Sequence, residues 1–520
     1  MDRKLLMTGL ALGFTAMAGG QSAQAQEPAR QKDTAQNGKR PNVVFILADD
    51  LGYGDVGCYG QERFDTPNID SLAAQGMRFT RCYSGTTVSA PSRACLLTGL
   101  HSGHAPVRGN IETPPEGQYP LPEMENIFLA FKEKGYKTGA FGKWGLGAPG
   151  TTGDPARQGI DEFFGYNCQL LAHNYYPDHL WENDRKIILE DNADGGFGTY
   201  SQDLINEKAL EFIDRNADRP FFLFLPYVLP HAELLVPKDS ILAKFSGMYP
   251  ETPYKGCDSG PAFRKGGYCS QPEPRATFAA MVYRLDMYVG QVVAKLRENG
   301  LLGNTLIIFA SDNGPHKEGG ADPDFFDSNG IFRGYKRDLY EGGIRVPFIA
   351  AWEGVIEPDS ESGHVMAFWD LSPTFRQLLS ETAGDTRNDT EAGTESSRQS
   401  GTAVSRTDGI SILPVLTGRG HQEEHDWLYF EFQEEGGKQA VISGNMKLIR
   451  LKASSGEDSV WELYDLENDP SETVNLLLPD NEKTKGKEAA GYRRIAKNLR
   501  SIMKREHVPD PAWPLLEGEF

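Results

Sequence analysis

Cysteine is scarce here, with six in 520 residues. That count cannot staple a chain of this length, and no two cysteines fall in a C-x-x-C spacing, so neither a disulfide scaffold nor a paired-cysteine zinc site is expected. Cys58, Cys82, Cys95 and Cys168 read as small buried residues. Cys257 and Cys269 flank a Gly/Pro-rich loop, KGCDSGPAFRKGGYC, and are the one pair placed to bond after export. Basic charge is also short: 53 Lys and Arg against 73 Asp and Glu leave a formal charge of −20, which repels nucleic acid and anionic membranes at long range. Long apolar runs are missing too. The run at 5–20 falls short of the roughly 18 residues that cross a bilayer and is diluted by glycine. With cations at 1–4 before it and Ala23-Gln24-Ala25 after it, it reads as a secretory signal peptide over 1–25, followed by a polar leader over 26–40. No cysteine follows the run, so no lipid anchor is expected, and stable membrane insertion is not predicted.

What is present is a loop-rich globular composition, 39% hydrophobic with 57 glycines, on a chain long enough for a large domain and a smaller one. PNVVFIL (41–47), YKTGAFGK (136–143), PFFLFLPYVLPH (220–231) and NTLIIFASDNG (304–314) each read as a short, fully buried strand that delivers polar residues where it stops. Helical patterns lie between them: IDSLAAQG, NIFLAFKEKG, SQDLINEKALEFIDRN and ATFAAMVYRLDMYVGQVVAKLRENG. Strand and helix in alternation predict an α/β fold with a mostly parallel sheet flanked by helices, whose ligand crevice lies at the carboxyl ends of the strands. A polar stretch over 381–409 has little to bury and divides a catalytic domain (41–380) from a carboxyl-terminal α+β subdomain (410–520). In the latter, WLYFEF, KQAVISG, MKLIRLK and WELYDLEND read as antiparallel strands and 487–507 as a terminal helix, whose basic face reads as a solvated surface.

Asp49 and Asp50 close the first strand, and Asp312 and Asn313 close another. Three carboxylates and an amide oxygen gathered in one crevice repel one another unless a hard cation lies between them, and an oxygen-only set suits Ca²⁺, or Mg²⁺, better than zinc. In SAPSRACLLTG, Pro91 favours a first helical turn, which places Ser89 at the positive end of a helix and Arg93 on the same turn with a fork of donors for an anion.

These residues carry a resemblance. SAPSRACLLTG resembles the signature of formylglycine-dependent sulfatases, of the alkaline phosphatase superfamily, in the serine form found in bacteria. PNVVFILADDLGYGDVGCYG, GKWGLG, LPYVLPHA, SDNGPH, RGYKRDLYEGGIRVPFIAAW and WELYDLENDP follow in that family's order. The resemblance implies an alkaline-phosphatase-like fold, Ca²⁺ on Asp49, Asp50, Asp312 and Asn313 with residue 89 beside it, and oxidation of Ser89 to an aldehyde by a maturation enzyme before export. Hydrated to a geminal diol, that residue attacks sulfur with one hydroxyl and expels sulfate through the other, so no adjacent histidine base is needed. It further implies that Arg93 holds the diol, Lys143 and Lys336 bind sulfate oxygens, and His231 protonates the departing oxygen. One position departs: the family commonly has histidine where this chain has Gly145, and His173, His101 and His104 are the candidates to take over its part.

LLAHNYYPDHLW (170–181) suits either a sugar platform or a loop pinned to the core by its aromatics. His173, Arg108, Glu318 and Asp324 are the candidates for reading substrate hydroxyls. The resemblance favours an exported bacterial enzyme, periplasmic or secreted, acting on sulfated carbohydrate. Two rivals remain: a phosphate ester hydrolase using unmodified Ser89, and an inactive glycan-binding relative.

Overall fold

The structure is a computed structural model that describes residues 40–114, 116–260, 263, 265–382, 407–478 and 487–519. The expected signal peptide (1–25) and the expected leader apart from Arg40 fall outside the described residues, as does most of the stretch 381–409. Strand β1 (Asn42–Asp49) is buried along its whole length because alternate residues feed two different cores. Val44, Ile46 and Ala48 enter one apolar cluster; Val43, Phe45 and Leu47 enter another on the opposite face of the sheet. A period of two with apolar residues at both phases is what a strand sandwiched between helices requires.

Among the described residues, nine strands join β1 in one ten-stranded sheet: β2 (Met77–Phe79), β3 (Lys137–Lys143), β4 (Glu162–Tyr166), β5 (His179–Glu182), β6 (Arg185–Ile188), β7 (Phe221–Pro230), β8 (Thr305–Ser311), β9 (Phe348–Ala351) and β10 (Ser360–Ser362). Their order across the sheet is β10-β2-β9-β8-β1-β7-β3-β4-β5-β6. The five central strands, β8 to β4, run parallel, and antiparallel neighbours flank them on both sides. Helices α1 (Pro67–Ala74), α3 (Ser201–Arg215) and α4 (Pro274–Glu298) cover one face, and α2 (Ser89–Thr98) and α5 (Leu371–Thr382) the other. The expected mostly parallel α/β sheet is therefore present. The antiparallel β9 and the hairpin β5-β6 are additions that short segments announce poorly, and the aromatic run at 170–181 divides between a short helix, Gln169–Ala172, and strand β5.

Beyond residue 407 a four-stranded antiparallel sheet forms from β11 (Leu428–Phe432), β12 (Lys438–Ser443), β13 (Met446–Leu451) and β14 (Val460–Asp465). The terminal helix α6 (Lys487–Glu506) lays Ala496, Leu499 and Met503, spaced along one helical face, onto this sheet. The sheet in turn braces the segments that lead to the site. Lys447 Nζ, fully buried, lies 2.9 Å from a carboxylate oxygen of Glu341 and 2.9 Å from one of Glu472. Glu341 also accepts from the Tyr83 hydroxyl at 2.9 Å, tying the loop before α2 to the same anchor. Cys257 and Cys269 are free thiols, and burial pushes Cys58 up to about 12 and Cys168 up to about 11, the behaviour of structural rather than reactive cysteines.

Replacing Lys447 with Met would leave two buried carboxylates facing each other. Urea unfolding should show a loss of about 3–5 kcal/mol; a change under about 1 kcal/mol would mean that this anchor carries no stability.

Candidate active site

Every polar delivery converges at the carboxyl edge of the parallel strands. Asp49 ends β1, and Asp50 after it takes a left-handed backbone (φ 62°) that Asp tolerates better than most residues. Both side chains are fully buried. Asp49 accepts from Ser89 Oγ at 2.7 Å and from Lys143 Nζ at 2.6 Å, with Arg93 Nη2 3.3 Å away. Asp50 accepts from Asn313 Nδ2 at 2.7 Å and Lys336 Nζ at 2.9 Å, and His231 Nε2 lies 3.4 Å from it. Asp312 joins the two halves: one oxygen takes the Asp50 N–H at 3.2 Å and the other takes Arg93 Nε and Nη2 at 3.1 and 2.9 Å.

Ser89 stands in the first turn of the ten-residue α2, and its hydroxyl is not used as a cap. The cap is supplied from outside: Asn110 Oδ1 accepts the Ala90 N–H at 3.1 Å, which leaves Ser89 free to face the crevice. Ser92 explains the second serine of the motif. It accepts from the Gly85 N–H at 3.0 Å and donates to the Asp312 carbonyl at 2.6 Å, clamping α2 onto the end of β8. Arg93 also donates to the Lys143 carbonyl, so its guanidinium fixes two strand ends and a helix at once.

The charges set one another. Burial alone would raise Asp49, yet Lys143 and Arg93 hold its carboxyl well below the usual range. Burial, then the Asp49 charge, pushes Asp312 up to about 7. Lys143 is lowered by burial, whereas Lys336, equally buried, is raised by Asp50 and Glu318. His231 is held neutral by burial and by the Lys336 charge. Its Nδ1 donates to the Ala232 carbonyl, and its Nε2 accepts from Lys336 Nζ at 3.0 Å. Glu318 accepts from Lys336 at 3.1 Å, from the Tyr268 hydroxyl at 2.9 Å and from Arg337. His173 stacks on His231 at 4.9 Å between ring centres.

The sequence candidates thus separate. Ser89, Arg93, Lys143, His231, Lys336, Asp49, Asp50, Asp312, Asn313, Glu318 and His173 meet in one crevice. Arg108 and Asp324 are not brought to it. Arg108 is committed to a buried pair with Glu431 at 2.9 Å and to the Val508 carbonyl, and Asp324 is an exposed partner of Lys317. His101 and His104 stack on each other and bond Glu506 and Asp408 instead. Sequence reasoning passed over Asn110, Tyr268, His316 and Arg337. His316 and Arg337 lie inside motifs already quoted, whereas Asn110 and Tyr268 carry no local signal.

The residues fit a hard cation. Asn313 Oδ1 is a buried acceptor with no hydrogen-bond partner, and its neighbours on the crevice wall are carboxylate oxygens. Ligand atoms of Asp49, Asp50 and His231 lie within 4.8 Å of one another. Titrating calcium into the protein should give a saturable heat signal that Asn313→Leu weakens at least tenfold; equal binding by the variant would remove Asn313 from the donor set.

The comparisons agree with this geometry. The Sulfatase family pattern matches residues 41–381. An N-acetylgalactosamine-6-O-sulfatase of Bacteroides thetaiotaomicron is 27% identical over 532 aligned residues, covering 86% of this chain and 91% of its own. Arylsulfatase A of Homo sapiens is 30% identical over 489, covering 84% and 83%. Among solved structures, Ps i-CgsB in complex with a neocarrahexaose superposes with a TM-score of 0.71 at 26% identity, over 92% of this chain and 95% of that one. With the motifs, the crevice and these relatives in agreement, the chain belongs to the sulfatase family and is a sulfuric ester hydrolase.

Proposed function

We propose that this enzyme hydrolyses O-sulfate esters on sulfated glycans after export, with residue 89 acting as a hydrated formylglycine. The observation that carries the reading is the buried hydrogen bond from Ser89 Oγ to Asp49, flanked by Lys143 and Arg93. The glycan assignment draws on the relatives: one is named for N-acetylgalactosamine 6-O-sulfate, and one solved structure holds a neocarrahexaose.

Asp49, Asp50, Asp312 and Asn313 would hold Ca²⁺, or Mg²⁺, which when bound supplies positive charge to stabilise an oxyanion in the crevice. Converted by a formylglycine-generating maturation enzyme, residue 89 would carry two hydroxyls on one carbon, one to take the sulfuryl group and one to release it by carbon–oxygen cleavage. Asp49 orients the attacking hydroxyl, and Arg93 acts on residue 89 by fixing Asp49 and Asp312. Lys143 and Lys336, on opposite sides of the two aspartates, bind sulfate oxygens. The neutral His231 and the Lys336 ammonium, in contact at 3.0 Å, form a proton source for the departing sugar oxygen. His173 and Glu318 border the place where that sugar sits.

Sulfate release from sulfated mono- and oligosaccharides, assayed beside the matching phosphate esters, tests the reading. Sulfate turnover should dominate; faster phosphate turnover would assign the site to an unmodified Ser89. In His231→Ala, kcat/KM on a sugar sulfate should fall by about 10²–10⁴, while 4-nitrophenyl sulfate, whose leaving group needs little protonation, should lose far less. Equal losses on both substrates would remove His231 from the proton step.

A further inference from the structure

The segment that follows β4 carries buried polar atoms with nothing to bond. Gln169 is 4% exposed, and its Nε2 has no hydrogen-bond partner. Asn167, fully buried, has neither amide atom paired, and His173 Nδ1 is likewise alone. Unpaired buried donors are costly in a folded protein, and a run of them along one segment beside a catalytic crevice marks a place where a ligand completes the bonding.

The parallel ladder between β3 and β4 extends past both strands, through Trp144 N–H to the Tyr166 carbonyl at 2.8 Å and Gly145 N–H to the Asn167 carbonyl at 3.0 Å. Trp144 is buried in the apolar cluster beneath this ladder. Lys143, the preceding residue on β3, faces the other way and reaches Asp49 from there, and position 145 is the second residue after it. Gly145 has a positive φ of 69°, and a Cβ built on it would overlap Gln169 Nε2. The Gln169 amide thus occupies the space where a side chain at 145 would begin, two residues along the chain from Lys143. The two residues form one unit: glycine at 145 is what lets the amide in.

Chemistry separates the unpaired atoms near the crevice. Asn313 Oδ1 is an acceptor and calls for a cation; Gln169 Nε2 is a donor and calls for an acceptor-only group. A sulfate monoester offers oxygens that accept and none that donate. We infer that Gln169 Nε2, seated in the room left by Gly145, donates to an oxygen of the bound sulfate group next to Lys143, making Gln169 a substrate-binding residue of this enzyme. The inference rests on the sulfate ester reading and specifies how this chain binds the sulfate without a side chain at 145.

The test uses the full-length protein with inorganic sulfate as probe. Gln169→Leu should weaken sulfate binding at least tenfold by calorimetry and lower kcat/KM for a sulfate ester to a similar extent. Its sulfate-free thermal midpoint should stay level or rise, because the substitution removes an unpaired buried donor; a purely structural glutamine would lower it. Gln169→Glu keeps the shape but sets a carboxylate against the anion, and should abolish binding should the leucine variant fail to fold. Gly145→Ala should weaken sulfate as Gln169→Leu does, and combining the two should add little. Sulfate affinity within twofold of wild type in both Gln169 variants would overturn the inference, as would a wild-type protein that does not bind sulfate. A wild type that binds sulfate through Gln169 yet releases none from any sulfate ester would overturn the catalytic reading and leave this one standing.

Discussion

The site depends on two carboxylates placed side by side at the end of one buried strand. Asp49 ends β1 and Asp50 turns out of the strand beside it, and each collects its own cation and its own polar partner. Asp49 gathers Ser89 and Lys143; Asp50 gathers Asn313 and Lys336. Arg93 and Asp312 stitch the halves together. Three carboxylates and three cations, all nearly inaccessible to water, balance one another at short range, so removing one leaves its partner buried and unpaired.

Much of this was legible in the chain because buried parallel strands are written as continuous apolar runs that stop abruptly at polar residues. NVVFILAD and TLIIFAS announce both their burial and the place of their acids. The motif SAPSR was readable as a helix mouth, although the partner that caps it, Asn110, comes from another loop. What the sequence concealed is tertiary pairing. Arg108 looks like an anion binder, yet its fork is taken by Glu431 from the carboxyl-terminal sheet. Asp324 follows β8 closely but turns outward to Lys317. His101 and His104 are as plausible on paper as His173, and only the fold sends them to Asp408 and Glu506 while His173 stacks on His231. Strands as short as β2 and β9 are set by their neighbours in the sheet more than by their own composition.

The unpaired atoms complete the picture. A free enzyme that holds a buried acceptor at Asn313 and a buried donor at Gln169 is organised around charges of opposite sign. The carboxyl-terminal sheet bonds Glu341, which also holds Tyr83 in the loop before α2. Rigidity at this edge comes from the ladder and from buried ion pairs, which is how donors are aimed before the substrate arrives.

The central claim is that this geometry serves a residue 89 able to carry two oxygens on one carbon. Enzyme purified from its own host and actively releasing sulfate should yield, on digestion, a peptide spanning position 89 whose mass is two hydrogens below that of the encoded serine. Full turnover by protein that keeps an intact serine hydroxyl at that position would contradict it.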